Sequence, residues 1–282
     1  MNAWGTHQLD LVGQRIRYAL GAGVRTSRRA PLLFLHGGAV DHRMWGPQLT
    51  GFPDRVRIAP DARGHGGSSE VTGDCRLTDD VVALLDALEI DRAVLVGVSM
   101  GGGTAVDTAL EHPDRVMGLV VSGTGTSEPE FTDPWVLDAF AAWADAGARG
   151  DAEAWIAAFM RFTTGPGRSR AQLDPQVWSL VETMARDVLA EHVTIGPDGR
   201  PVPPQAPVPV TDTWARLGRV QVPVLALCGS ADSVDHRRLG RRLAEQVPYG
   251  EYDEVTGAHY PNLEDPDTFN AAVGAFLSRH RL

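Results

Sequence analysis

The hydrophobic positions of this chain gather into short unbroken runs set apart by polar and glycine-rich turns. Residues 31–35 (PLLFL), 93–97 (AVLVG), 116–122 (VMGLVVS) and 223–229 (PVLALCG) are apolar at nearly every position. A strand with one wet face alternates. A run without alternation predicts a strand covered on both faces, as in a parallel sheet between helices. Weaker strand patterns occur at 15–20 (RIRYAL), turned by Gly21 to Gly23, at 55–60 (RVRIAP), ending at Asp61, and at 251–255. Helical spacing marks 77–88 (LTDDVVALLDAL), with Thr78 expected as N-cap and Val81 opening the apolar face. It also marks 100–111, closed by His112-Pro113, and the segments 236–247 and 267–279. Residues 93–122 therefore read strand, helix, strand, a crossover that favours a parallel pair.

The rhythm breaks after residue 123. From 124 to 214 the chain looks helical and holds five of its seven tryptophans: Trp135, Trp143, Trp155, Trp178 and Trp214. Residues 196–210 contain six prolines, which excludes helix and central strand and predicts an extended surface segment or lid edge. The strand–helix pattern resumes at 223. The expected division is one α/β core, 1–123 with 215–282, interrupted by a helical cap at 124–214 that includes the Pro-rich segment 196–210.

Composition narrows the class. With 282 residues, 43% hydrophobic and 22% charged, the chain can bury a sizeable core without metal or disulfide staples. A net charge of −10 and no Lys/Arg run argue against nucleic acid or an anionic membrane as partner. Two cysteines, Cys75 and Cys228, form no disulfide framework. No signal-peptide pattern or span-length apolar run appears, so a cytoplasmic protein acting on a small molecule is expected.

The candidate chemistry sits at strand ends. Gly97-Val98-Ser99-Met100-Gly101 has the form G-x-S-x-G, with an apolar strand before it and a helix after it. Such a turn strains the serine, lifts its hydroxyl above the sheet and lets flanking glycines admit close neighbours. The Met100 amide at the helix start can face an oxyanion. Among nine histidines, His259 follows the last strand, at the edge where parallel sheets place their crevices. His36 and His65 lie in glycine-rich loops and are further candidates. Asp232 follows strand 223–228 and is expected to orient the imidazole. Its neighbour Asp235 is the rival, with helix capping as its ordinary role. A second oxyanion amide is expected from His36-Gly37-Gly38-Ala39, with Gly38 first and Ala39 second.

These residues together resemble the α/β-hydrolase superfamily. The resemblance rests on HGG at 36–38, DARGHGGSS at 61–69, GVSMGG at 97–102, GSAD at 229–232 and GAHYPNLEDP at 257–266. His42, Met44 and Trp45, with DARGHGGSS, look like 3-oxoadipate enol-lactonases, related small esterases and cofactor-free perhydrolases. The resemblance implies a doubly wound, mostly parallel, eight-stranded sheet with a helical cap inserted after strand 6. It implies Ser99 as nucleophile, His259 as base, Asp232 as acid, and Gly38 and Met100 as oxyanion donors. DARGHGGSS is then structural, with Asp61 and Arg63 fixing the loop and His65 a buried hydrogen-bonding residue. Serine rather than aspartate at position 99 disfavours epoxide opening and halide displacement.

The expected function is hydrolysis of a carboxylic ester or lactone of a small to medium hydrophobic substrate through an acyl-enzyme, with no metal or organic cofactor. Trp135, Trp143, Trp155, Phe159, Phe162 and Trp178, with Met160, are candidates for a substrate cavity or for the cap's own core. The alternatives are C–C bond hydrolysis, perhydrolysis or a lyase reaction on the same scaffold, or ligand binding with slow turnover.

Overall fold

The computed structural model describes residues 4–11, 13–22, 27–197, 201–202 and 204–282. Eight strands form one sheet: β1 (Trp4–Leu11), β2 (Gln14–Gly21), β3 (Leu32–Leu35), β4 (Arg57–Pro60), β5 (Ala93–Val98), β6 (Val116–Ser122), β7 (Val224–Gly229) and β8 (Gly250–Val255). Their spatial order is β1-β2-β4-β3-β5-β6-β7-β8. The β1–β2 and β2–β4 pairs are antiparallel, and every pair from β4 to β8 is parallel. The α-helices are α1 (Gly46–Gly51), α2 (Leu77–Ala87), α3 (Met100–Glu111), α4 (Pro134–Arg149), α5 (Ala152–Thr164), α6 (Pro175–His192), α7 (Thr213–Arg216), α8 (Val234–Gln246), α9 (Pro261–Glu264) and α10 (Pro266–Arg279).

The unbroken apolar runs form the middle of the sheet, and all residues of β3, β5 and β7 are buried. Side chains still alternate in direction along each strand. Phe34, Val94 and Val96 face one layer with Trp45, Phe269 and Phe276. Leu33, Leu35 and Leu95 face the other, with Val81 and Leu84 of α2, Val106 of α3 and Leu243 of α8. The sheet is thus covered on both faces. The first cluster continues into α5 and α6 through Phe159, Met160, Val181 and Met184.

Three differences from the sequence pattern have local causes. Strand β1 shows no apolar periodicity because it is an exposed edge, held by its full register against β2. The N-cap of helix α2 lies two residues earlier than expected: Arg76 holds that position, and Thr78 lies inside the helix with its hydroxyl buried and unpaired. Helices α4 to α6, between β6 and β7, start at aspartates. Asp133, Asp151 and Asp174 each accept from a first-turn amide, and Pro134 and Pro175 stand at the first helical positions. Of the Pro-rich stretch, residues 198–200 and 203 lie outside the described residues, as does Gly23. The remainder is extended and pinned where the Val208 amide donates to the Cys75 carbonyl at 2.7 Å. Among the described residues, no helix is long and apolar enough to cross a membrane.

Candidate active site

Ser99 stands between β5 and α3 with φ 54° and ψ −120°. This left-handed backbone is costly for a residue with a Cβ and persists only where neighbours enforce it. The enforcement is visible. The Ser99 amide donates to the Ser122 carbonyl at 2.8 Å, and its own carbonyl accepts from Thr124 Oγ1 at 3.0 Å. The flanking glycines admit backbone where a methyl would collide. A Cβ on Gly97 would lie 2.6 Å from the Gly102 amide nitrogen, and one on Gly101 would lie 2.6 Å from the His36 carbonyl oxygen.

Parallel strands ending side by side bring the other candidates to the same edge. Asp232 lies in the turn after β7 and is 2% exposed; His259 follows β8 and is 4% exposed. His259 Nδ1 donates to Asp232 Oδ2 at 2.9 Å. Both Ser99 and His259 border the turn that follows β6. A Cβ on Gly123 would lie 2.8 Å from His259 Cε1, so this turn admits glycine with φ 96° and little else.

A second imidazole shares the carboxylate. His236 Nδ1 donates to Asp232 Oδ1 at 2.7 Å, and the Ser233 amide donates to the same oxygen at 2.7 Å. Burial opposes the Asp232 charge, yet the two imidazoles outweigh it and hold this carboxyl well below the ordinary range. Burial pushes His259 below the ordinary imidazole value, against the pull of Asp232. His259 is therefore neutral, and so able to accept a proton, through the neutral range.

Asp235 has a different place from the capping role expected of it. Ser233 caps α8, accepting from the His236 amide at 3.1 Å. The Asp235 carboxylate instead binds the Thr132 and Asp133 amides and Arg238, tying the segment before α4 to α8.

The loop after β3 runs beside the serine. A Cβ on Gly37 would lie 3.4 Å from Ser99 Cβ, whereas Gly38 faces open space. The Ala39 amide donates to His65 Nε2 at 3.2 Å. The Met100 amide is the first of α3 and has no intrahelical partner by construction. His65 is pushed down to about 3 by burial and by neighbouring His36, so it serves as a neutral acceptor. His36 Nε2 likewise accepts from the Ala62 amide at 2.8 Å. Asp61 takes the His42 ring and the Gly67 amide, and Arg63 pairs with Asp80, so the 61–69 segment is a hydrogen-bonded scaffold.

The aromatic candidates form one chain of contacts. Phe162 lies 5.8 Å from the His259 ring and 5.9 Å from Trp135. Behind it, Trp143 packs on Trp155 at 5.1 Å and on Phe159 at 5.3 Å. Trp178 is turned toward Glu182 and Arg170 on the outer helices. Phe131 and Phe140, which the sequence pattern did not single out, join the cluster. Phe131 meets His236 edge-on at 5.4 Å, and Phe140 lies 4.9 Å from Phe162. A cavity of about 350 Å³ opens at Ser99 and Met100 and runs past Thr104 and Asp107 to a wall of Pro207–Val210. Two groups could chelate a cation, Asp232 with His236 and His259, and Asp41 with His42 and Asp61. In the first, hydrogen bonds already join Asp232 to both imidazoles; in the second, one joins Asp61 to His42, while Asp41 pairs with Arg43.

A doubly wound sheet with a strained serine at the end of its central strand defines a class, and the comparisons agree with it. The alpha/beta hydrolase fold family matches residues 30–266, and the chain belongs to this family. It is 28% identical over 265 residues to 3-oxoadipate enol-lactonase 2 of Acinetobacter baylyi, covering 89% of this chain and 90% of that protein. Among solved structures it is similar to the enol-lactonase of Burkholderia xenovorans LB400, at 26% identity and a TM-score of 0.69, covering 96% of this chain and all of the other. It is also similar to Est816, described as an N-acyl homoserine lactone degrading enzyme, at 28% identity and a TM-score of 0.70, with 96% and 100% covered. The chain is a hydrolase of this fold, from a family in which ester and lactone hydrolysis recur.

Proposed function

We propose that the protein cleaves carboxylic esters or lactones through an acyl-enzyme formed on Ser99. The observation that carries this is the strained Ser99 elbow at the same sheet edge as a buried His259 whose Nδ1 donates to Asp232. In this reading His259 Nε2 takes the hydroxyl proton as Ser99 attacks the carbonyl. Asp232 fixes the tautomer and stabilises the imidazolium. The amides of Gly38 and Met100 hold the oxyanion, each donor worth about 3 kcal/mol in the transition state. The tetrahedral intermediate collapses, His259 protonates the leaving oxygen, and the serine keeps the acyl group. Water then gives its proton to His259 and attacks the acyl carbon, and His259 passes that proton to the Ser99 oxygen as the acid is released. A lactone follows the same path, with its leaving oxygen still tethered.

The helices between β6 and β7 act as the cap in this reading. Phe162, against His259, meets substrate, with Trp135 beside it. Trp143, Trp155 and Phe159 back these residues by packing on one another, and Trp178 steadies the outer face. The polar and prolyl cavity beyond Met100 takes the remaining part of the substrate. The lactonase relatives support a lactone among the substrates.

The test compares wild type with Ser99→Ala. Each is treated with a fluorophosphonate and with p-nitrophenyl esters, aliphatic lactones and 1,3-diketones. Wild type is expected to be labelled at Ser99 and to turn over an ester or lactone, and the variant to do neither. Wild type that stays unlabelled refutes the proposal. Diketone cleavage without ester or lactone turnover replaces it with C–C bond hydrolysis.

A further inference from the structure

The carboxylate that faces His259 is shared. Asp232 Oδ2 accepts from His259 Nδ1 at 2.9 Å, while Oδ1 accepts from His236 Nδ1 at 2.7 Å and from the Ser233 amide at 2.7 Å. The two rings lie 4.3 Å apart with 33° between their planes, and His236 is 1% exposed. Helical side chains lean toward the N-terminus. A histidine in the first turn of α8 therefore reaches back past the Ser233 cap to the carboxylate just before it.

We infer that His236 is a positioning residue for the reaction, dividing the Asp232 carboxylate with His259 and setting how firmly that carboxylate holds the base. This rests on the reading of Ser99, His259 and Asp232 as the reacting groups. The argument is electrostatic and geometric. A buried carboxylate needs donors, and each donor draws part of its charge. With His236 in place, Oδ1 cannot swing toward His259, and only part of the negative charge faces the base. Without it, the Ser233 amide alone holds Oδ1, and more of the charge acts on His259. Its imidazolium form is then favoured, and the neutral base is lost at a higher pH.

Other ionisable groups around the pair do not substitute for this effect. Cys228 of β7 lies beneath, with its thiol pushed up to about 12 by burial, and donates to the His236 carbonyl. Tyr260 stands edge-on to His259, its phenol raised by burial. Asp235 and Arg238 of α8 are paired with each other. The segments packed from above present Phe131 and Phe162, which carry no charge.

The experiment measures kcat/KM against pH for wild type, His236→Phe and His236→Asn, on whichever ester or lactone the protein cleaves. Phe keeps the ring and removes the donor; Asn places an amide N–H near the position of Nδ1. The acid limb is expected to rise by about one pH unit in His236→Phe, so that activity on that limb falls by up to about tenfold while the plateau above it changes less. In His236→Asn the limb is expected close to the wild-type position. Proton NMR of wild type adds a measurement that needs no stable Phe variant. Low-field, exchange-protected imidazole N–H signals are expected for both His236 and His259, assigned by their loss in His236→Asn and His259→Asn. A Phe variant that loses activity equally at every pH, or a wild-type spectrum in which only His259 gives such a signal, overturns the inference. Wild type that a fluorophosphonate does not label instead defeats the underlying hydrolase reading.

Discussion

Asp107 carries a pH-dependent stability that a single substitution isolates. It lies on α3, 7% exposed, and faces the cavity beyond Met100. Among the described residues its one donor is the Ser127 hydroxyl, at 2.8 Å. Burial raises its carboxyl from 3.8 to about 7, and the charges of Glu128 and Glu111 act in the same direction. A folded value above the unfolded one means that the carboxyl favours the fold at low pH. That contribution fades as pH rises from about 4 to 7 and is gone above it. Each pH unit in that window is worth roughly 1.4 kcal/mol, so the fold gives up about 4 kcal/mol by pH 8. Asp107→Asn keeps the shape and an acceptor for Ser127 but cannot ionise. Its amide N–H adds a constant offset, so the slope with pH is the informative quantity. Urea denaturation of both proteins at pH 5, 6.5 and 8 is expected to show the variant gaining roughly 3 kcal/mol on wild type between pH 5 and pH 8. All other titrating groups are common to the two proteins and cancel. Unfolding curves whose separation does not change with pH would refute the reasoning.

Two further outcomes follow from contacts at the sheet edge. Gly101→Ala places a methyl against the Leu35 and His36 carbonyls, where only backbone can yield, and is expected to cost 3 kcal/mol or more or to prevent folding; a melting temperature near wild type would contradict this. Asp232→Asn is expected to lower kcat by about 10⁴-fold. Asp235→Asn, which loosens the Thr132–Asp133 segment, is expected to lower stability by about 1–3 kcal/mol with kcat within a few-fold of wild type. The reverse pattern in steady-state rates would exchange the roles of the two aspartates.

What could be read from the sequence was what local pattern determines. The runs at 31–35, 93–97, 116–122 and 223–229 carry their burial in unbroken apolarity, and they became the middle of the sheet. Ser99 and Asp232 each stand just past such a strand and His259 just past the weaker edge strand at 251–255, so parallel topology brings them to one edge. Strand β1 was invisible because an exposed edge strand needs no apolar face. The starts of α4 and α6 carried a readable signal in Asp133-Pro134 and Asp174-Pro175. The prolines before residue 210 announced only an extended chain; that Pro207–Val210 wall a cavity at Ser99 depends on contacts distant in sequence. Phe131 and Phe140 escaped for the same reason.

His236 is the instructive omission, because its signal is local but conditional. Its spacing of four from Asp232 has meaning only if a helix begins between them. Ser233 supplies that start, with its hydroxyl on the His236 amide. The cap fixes the register, and the register points the imidazole back at the carboxylate. A one-residue slip of the helix start would turn the side chain by about 100°. Asp232 would then be left with His259 and the Ser233 amide, and more of its charge would act on the base.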